Sequence, residues 1–213
     1  HPVIIAGHGR FGGIVNRMLL ASGYKTTVLD HSAAQLDMLR TFGINAFYGD
    51  ASRPDLLHAA GIAEAKLLII ALDDKDQTEA LVHYVHQNHP HVHMIVRAHD
   101  RRHVYRLYQA GARDIIRETF DSSVRAGRSA YEALGMHPFE AERLARAFVD
   151  ADRHALAELA QVAVVLQQQR VGRFAGRGND NARAWKGGAE IVLLDLPRGL
   201  RDLRRDQAGN ALG

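Results

Sequence analysis

HPVIIAGHGRFGGIV, His1 to Val15, is the stretch whose reading decides the fold. An apolar run, Val3 to Ala6, leads into a turn that carries Gly7, Gly9 and Gly12 in the G-x-G-x-x-G spacing, and the apolar pattern after it predicts a helix. The three glycines have separate roles in such a turn. Gly7 permits the tight bend, Gly9 lets a phosphate approach the backbone, and Gly12 lets the helix pack on the strand. The helix N-terminus then offers free N–H groups and a positive dipole end to an anion. Alone the spacing is a weak signal, but here it lies between a predicted strand and a predicted helix. Asp30 also closes the next predicted strand, 18 residues after Gly12. A carboxylate there accepts hydrogen bonds from ribose hydroxyls and favours an adenosine ribose without a 2′-phosphate. Arg10 adds a positive charge within the loop. The expected nucleotide contacts are therefore Gly7, Gly9, Arg10, Phe11, Gly12, Asp30 and His31.

Outward from this turn, short apolar runs alternate with amphipathic stretches. VIIAG, KTTVLD, AFYGD, KLLIIALDD, VHMIVRAHD and ARDIIRE each read as a strand, with helical patterns between them. Strands that are nearly continuous in Val, Ile and Leu are buried on both faces of a parallel sheet, and their alternation with helices implies right-handed βαβ units. The fold class is α/β, a Rossmann-like doubly wound parallel sheet of about six strands, ending near Glu118. Ligands in such sheets bind outside the carboxyl ends of the strands, which adds Asp50 and Ala51 after the third strand and Asp73 and Asp74 after the fourth. Asp50 could accept from an adenine amine. For Asp73 and Asp74 a helix N-cap is an equal alternative to ligand contact.

From Thr119 to Gln169 the strand pattern stops, and two helices are expected, about 120–134 and about 138–169. Gly135 suits the C-terminal cap of the first and Pro138 the first turn of the second. Phe139, Leu144, Phe148, Leu156 and Leu159 give the long helix more apolar positions than a lone exposed helix carries, so it needs a partner, either the domain itself or a second subunit. The remaining 170–213 is a basic, Gly- and Arg-rich tail in which a strand at Ile191 to Leu194 competes with disorder.

Composition narrows the function. The 213 residues contain no cysteine, which removes thiolate catalysis, disulfides and sulfur-ligated zinc. No apolar run approaches the roughly 20 residues needed to cross a bilayer, so the piece reads as a soluble one. Val3 to Ala6 is too short for the apolar core of a secretion signal, and the abrupt start reads as a cut from a longer chain. The net charge of +3 is misleading about nucleic acid. Nine of the 27 basic residues but only five of the 24 acidic ones lie from Arg170 onward, which leaves the body slightly acidic and no nucleic-acid partner expected. His89, His91 and His93, with His83 and His86 before them, invite a metal reading; the spacing is loose, no carboxylate joins them, and solvated loop histidines are expected instead. No serine sits in a G-x-S-x-G elbow, and no second domain closes a cleft over a nicotinamide. A sensor is favoured over an enzyme, with a small NAD-dependent oxidoreductase as the alternative.

GHGRFGGIVNRMLLASGYKTTVLDH, LRTFGINAFYGDASRPDLLHAAG, RLYQAG and RETFDSSVRAGRSAYEALG closely resemble the potassium-transport nucleotide-binding domain, the RCK or KTN fold, of the Kef glutathione-regulated potassium efflux systems, over about Val3 to Leu159. The resemblance implies a regulatory domain on the cytoplasmic face of the bacterial inner membrane, attached to a K+/H+ antiporter. It implies a homodimer joined through the C-terminal helices, AMP or NAD(H) in the Rossmann pocket, and glutathione or its adducts as gating ligands. An ancillary quinone reductase is a further implied partner. It also places the family's glutathione-contacting arginines at Arg17 and Arg117, where the two carboxylates of the tripeptide could be gripped. A third such position, an asparagine in the family, is Asp152 here, and a carboxylate cannot donate a hydrogen bond and repels an anion. A regulatory subunit of potassium uptake, gated by nucleotide alone, is the alternative on the same fold.

Overall fold

The computed structural model describes the backbone of residues 3–174 and the side-chain surroundings of residues 3–157. The chain divides into two compact units, His1–Asp121 and Ser122–Gly213. In the first, six strands, β1 (Val3–Ala6), β2 (Thr26–Asp30), β3 (Asn45–Tyr48), β4 (Leu67–Ile70), β5 (His93–Ala98) and β6 (Asp114–Arg117), form one sheet in the order β3-β2-β1-β4-β5-β6. Every pair is parallel. The crossovers are α1 (Arg10–Ala21), α2 (Ala33–Thr41), α3 (Pro54–Ala59) with a short 3-10 turn at Ile62–Glu64, α4 (Lys75–Asn88) and α5 (Arg101–Ala110).

The four central strands are largely buried, as their continuous apolar character suggests, whereas β3 and β6, at the two edges of the sheet, are only partly buried. Within β1, Ile4 and Ala6 enter a core shared with Leu57 of α3, Leu81 and Val85 of α4 and Leu107 of α5. Val3 and Ile5 enter the opposite core with Leu36 and Leu39 of α2, against which Val15 and Leu19 of α1 pack. Burying each of the larger side chains contributes roughly 1.5–3 kcal/mol relative to leaving it exposed. The order also fixes the switch point: from β1 the chain proceeds to β2 on one side, and β4 returns to pair with β1 on the other. The crevice outside the carboxyl ends of β1 and β4 is where such sheets hold ligands.

Beyond β6 the chain forms α6 (Phe120–Ala133) and α7 (Pro138–Phe174). Gly135 adopts φ 92°, while its N–H bonds to the Glu132 carbonyl and that of Met136 to the Tyr131 carbonyl, the paired contacts that end a helix on a left-handed glycine. The His137 carbonyl accepts from the N–H groups of Glu140 and Ala141, and Pro138 occupies the first helical position. Arg128 of α6 pairs with Glu142 of α7 at 2.6 Å, and Glu142 also takes Arg146. α7 continues to Phe174, past the expected end at Gln169, since Arg170, Val171 and Arg173 continue a helix without penalty from proline. Among its described side chains, Ala141, Ala145 and Asp152 are buried, whereas Phe139 and Phe148 are exposed. The expected strand at Ile191 to Leu194 and the rest of the basic tail from 175 lie outside the described residues. Among the described residues no helix is long and apolar enough to cross a membrane.

Candidate functional site

The glycine-rich turn joins β1 to α1 at the switch point, and its three glycines differ physically. Gly7 has φ 92°, and a Cβ there would lie 2.7 Å from the Ala71 carbonyl oxygen after β4. A Cβ on Gly12 would overlap the carbonyl oxygen of Gly7 itself. These two are therefore demanded by the protein's own packing. Gly9 is not: its φ is −68°, accessible to any residue, and a Cβ would meet nothing within 4 Å. The open space beside Gly9, the N-cap of α1, is the approach to the first-turn N–H groups of that helix. No side chain caps that helix end, no acidic residue lies in its first turn, and Arg10 begins it. Among the other helices of the sheet, α4 and α5 are capped by Asp74 and Asp100, whereas α2 and α3 also lack a side-chain cap, so it is the glycine turn before α1 that sets this helix end apart. An anion is what this uncapped end suits.

Asp30, at the end of β2, is buried, and its carboxylate is already oriented. Oδ2 accepts from the His8 main-chain N–H at 2.6 Å and Oδ1 from that of Ser32 at 2.8 Å. It ties the glycine turn to β2, and the carboxylate oxygens retain lone pairs for a ligand hydroxyl. His31 is largely exposed, with Nδ1 3.8 Å from Asp30 Oδ1. The Asp30 carbonyl accepts from Gly49 N–H, which draws the end of β3 alongside. Asp50 is exposed there, its Oδ1 held by the N–H and hydroxyl of Ser52, and Ala51 is buried beneath.

After β4 the two aspartates separate in role. Asp74 is the N-cap of α4, accepting from Gln77 N–H at 2.8 Å. Asp73 is not a cap. It accepts from Arg97 at 2.7 Å, which holds its carboxyl below the usual range. Arg97 was not among the residues expected from sequence, although an arginine within VHMIVRAHD is the available signal. Its guanidinium is buried and also donates to the Leu72 carbonyl at 2.6 Å and towards Glu118 at 3.4 Å. It thus stitches the carboxyl ends of β4, β5 and β6 together.

His8 and Asn16 were also missed. The His8 ring Nε2 lies 3.0 Å from Asn16 Nδ2, and Asn16 Oδ1 accepts from the Thr26 hydroxyl at 2.7 Å. A polar residue on the buried side of α1 was the signal. Burial holds His8 below its ordinary value, opposed by Asp30 and reinforced by Arg17. Arg17 is an exposed residue of α1 whose charge reaches His8. Arg117, at the end of β6, stacks over the Phe120 ring at 3.7 Å. Asp152 is buried on α7, in the second unit.

His83, His86, His91 and His93 are exposed, as expected, and one histidine of the run departs from that reading. His89 is buried at the C-terminal cap of α4, edge-on to His58 and His91 at 5.5 and 6.1 Å, and only His93 belongs to β5. His89 also packs against the Tyr84 ring at 5.8 Å, which with His58 and His91 accounts for its burial. Among the described residues no group of three His, Asp or Glu side chains is arranged to hold a metal.

The family model described as the TrkA-N domain matches residues 3–118, and that of the potassium efflux system KefB C-terminal domain matches 122–177. The C-terminal domain of Kef from Shewanella denitrificans, solved in an AMP-bound form, is 45% identical with a TM-score of 0.71, over 76% of this chain and 99% of that one. The chain belongs to the TrkA-N and Kef C-terminal domain family. The glutathione-regulated potassium-efflux protein KefC of Escherichia coli O139:H28 is 46% identical over 160 residues, 75% of this chain and 26% of the relative. The Kef-type chain thus spans about a quarter of the length of the curated relatives it matches. The GsuK channel bound to NAD shares the fold at 23% identity and a TM-score of 0.54, over 62% of this chain and 24% of the channel. The Kef relatives are components of a potassium-efflux system rather than enzymes.

Proposed function

We propose that the chain is the ligand-sensing regulatory domain of a Kef-type K+/H+ antiporter, holding AMP or NAD(H) at the turn of residues 7–12 and biasing transport by the ligands it binds. The observation that carries this reading is Gly9, a glycine that the protein's own packing does not require, beside a helix end that no side chain caps. Phosphate would take the first-turn N–H groups with help from Arg10 and Phe11, and ribose would reach Asp30 beside His31. Asp50, Ala51 and Asp73 would border the base and the second half of the crevice. The AMP in the Shewanella domain supports the choice of nucleotide.

In the same reading, residues 1–118 bind nucleotide and 119–169 form a helical dimerisation segment. Arg17 and Arg117 grip the carboxylates of glutathione or its adducts, with Asp152 at the remaining position. Partners are a second copy, the antiporter's membrane portion at the cytoplasmic face of the inner membrane, and an ancillary quinone reductase. Ligands act by favouring one arrangement of the dimer over another.

Calorimetric titration with AMP of the parent and of Gly9→Val tests the pocket. The expected result is binding to the parent and at least about a tenfold loss in the variant, a loss of about 1.4 kcal/mol, with the melting temperature little changed. Equal affinity in both would overturn the assignment of the turn.

A further inference from the structure

We propose that nucleotide binding at the glycine-rich turn is coupled to uptake of one proton by the His8 ring, so that the domain reads acidity and nucleotide together. This rests on the nucleotide reading above and adds a second input to the same site.

His8 touches the turn and a buried hydrogen-bond chain at once. Its main-chain N–H donates to Asp30 Oδ2, so the backbone that would meet phosphate and the carboxylate that would meet ribose share this residue. Its ring ends the chain from Thr26 through Asn16, and both of those residues are nearly excluded from water. The Thr26 hydroxyl donates to Asn16 Oδ1, which turns the Asn16 NH2 towards His8 Nε2. With the amide in this orientation Nε2 is the accepting nitrogen, and the neutral ring carries its proton on Nδ1.

The chain can also run in reverse. When Nε2 gains a proton, a half-turn of the Asn16 amide lets Oδ1 accept from Nε2–H, and Nδ2 donates to the Thr26 oxygen, which has free lone pairs. Both contacts survive with their direction exchanged, so protonation leaves neither His8 nor Asn16 unpaired.

The charges facing His8 set the sign. Asp30 on β2 favours the imidazolium, while Arg17 on α1 and burial oppose it, with the net result that the free domain keeps His8 neutral further into acid than an ordinary histidine. His31 meets Asp30 at the other oxygen, Oδ1. The His8 ring lies against Gly13 in the first turn of α1, where a Cβ would meet its Cε1 at 3.6 Å, so a phosphate on that turn would bring negative charge towards the ring and tip the balance towards the protonated form. The complex therefore binds the proton more tightly than the free domain does. By linkage, affinity for the nucleotide rises as pH falls through the window between the two His8 values. A displacement of about one unit corresponds to about a tenfold change in affinity across that window.

The test is AMP titration of the purified chain at pH 5.5, 6.5 and 7.5, for the parent and for His8→Gln, which keeps an acceptor and cannot titrate. Because AMP's own phosphate titrates in this range, the difference between the two proteins is the readout. The parent is expected to gain about three- to tenfold more affinity than the variant between pH 7.5 and 5.5. Nitrogen-15 NMR of the parent gives a second reading that does not depend on the variant folding: His8 Nε2 unprotonated in the free domain at neutral pH, and its titration moved upward in AMP. Equal pH slopes in the two proteins, or a His8 titration that AMP does not move, would overturn the proton linkage and leave the nucleotide site standing. AMP binding to neither protein at any pH would overturn the nucleotide reading and the linkage with it.

Discussion

Gly9 and Gly12 lie three positions apart in one turn, yet substituting each should produce opposite failures. Gly12→Ala forces a methyl into the Gly7 carbonyl, so the turn must open or α1 must move off β1. Overpacking of this kind costs about 1–3 kcal/mol or more, and the expected outcome is a lower urea midpoint by circular dichroism whether or not nucleotide is present. Gly9→Ala should leave that midpoint within about 0.5 kcal/mol of the parent's stability, since its φ suits alanine and no atom is displaced. Its effect should appear in AMP affinity alone. The spacing of the glycines was legible in the sequence, and so was Asp30. The separate role of Gly9 was legible too; what was not is which atoms make its neighbours obligatory, because Ala71 and the Gly7 carbonyl are brought to Gly7 and Gly12 only by the fold.

The helices and strands were legible where period and punctuation agreed: the six apolar runs, the glycine that ends α6 and the proline that begins α7. What the linear pattern could not carry was how charged side chains close the carboxyl end of the sheet. Arg97 links the ends of three strands, and α5 is held to α4 by Arg106 pairing with Asp76 and Glu79 and by Lys75 pairing with Asp100. Within that interface His103 is fully buried, and its ring is pushed down to about 4, first by burial and then by His99, Arg106 and Lys75. A histidine depressed in the folded state binds fewer protons there than in the unfolded chain, so its contribution is intact above about pH 6.5 and is lost as pH falls towards about 4. Denaturation of the parent at pH 7.5 and 5.0 should show this loss, on the order of a few kcal/mol when complete. His103→Leu should flatten the dependence, and an unchanged pH slope in that variant would assign the acid sensitivity to another group, with buried His89 the first candidate.

For the molecule as a whole, α7 presents Phe139 to solvent, which in the proposed dimer would face the partner. Phe139→Asp should shift a dimer towards monomer by light scattering, without a change in helix content; a parent that is already monomeric at tens of micromolar would remove that role from α7. Glutathione supplies the companion test. Arg17→Ala and Arg117→Ala should each weaken its binding by about tenfold, the scale of one lost charge-assisted hydrogen bond, and Asp152→Asn should strengthen it by removing a repelling charge.

The pairing of β1 with β2 on one side and β4 on the other also has a meaning in time. The turn is held from below by Ala71, some sixty residues further along the chain, through its contact with Gly7 and its N–H bond to the Ala6 carbonyl. A ribosome therefore finishes the glycine-rich segment first and completes its support much later, after α3 and β4 have emerged. Parallel pairings of this separation close slowly because the loop entropy is spent before the contacts form. The nascent chain thus passes through a stage in which its phosphate-binding residues are present and its binding site is not.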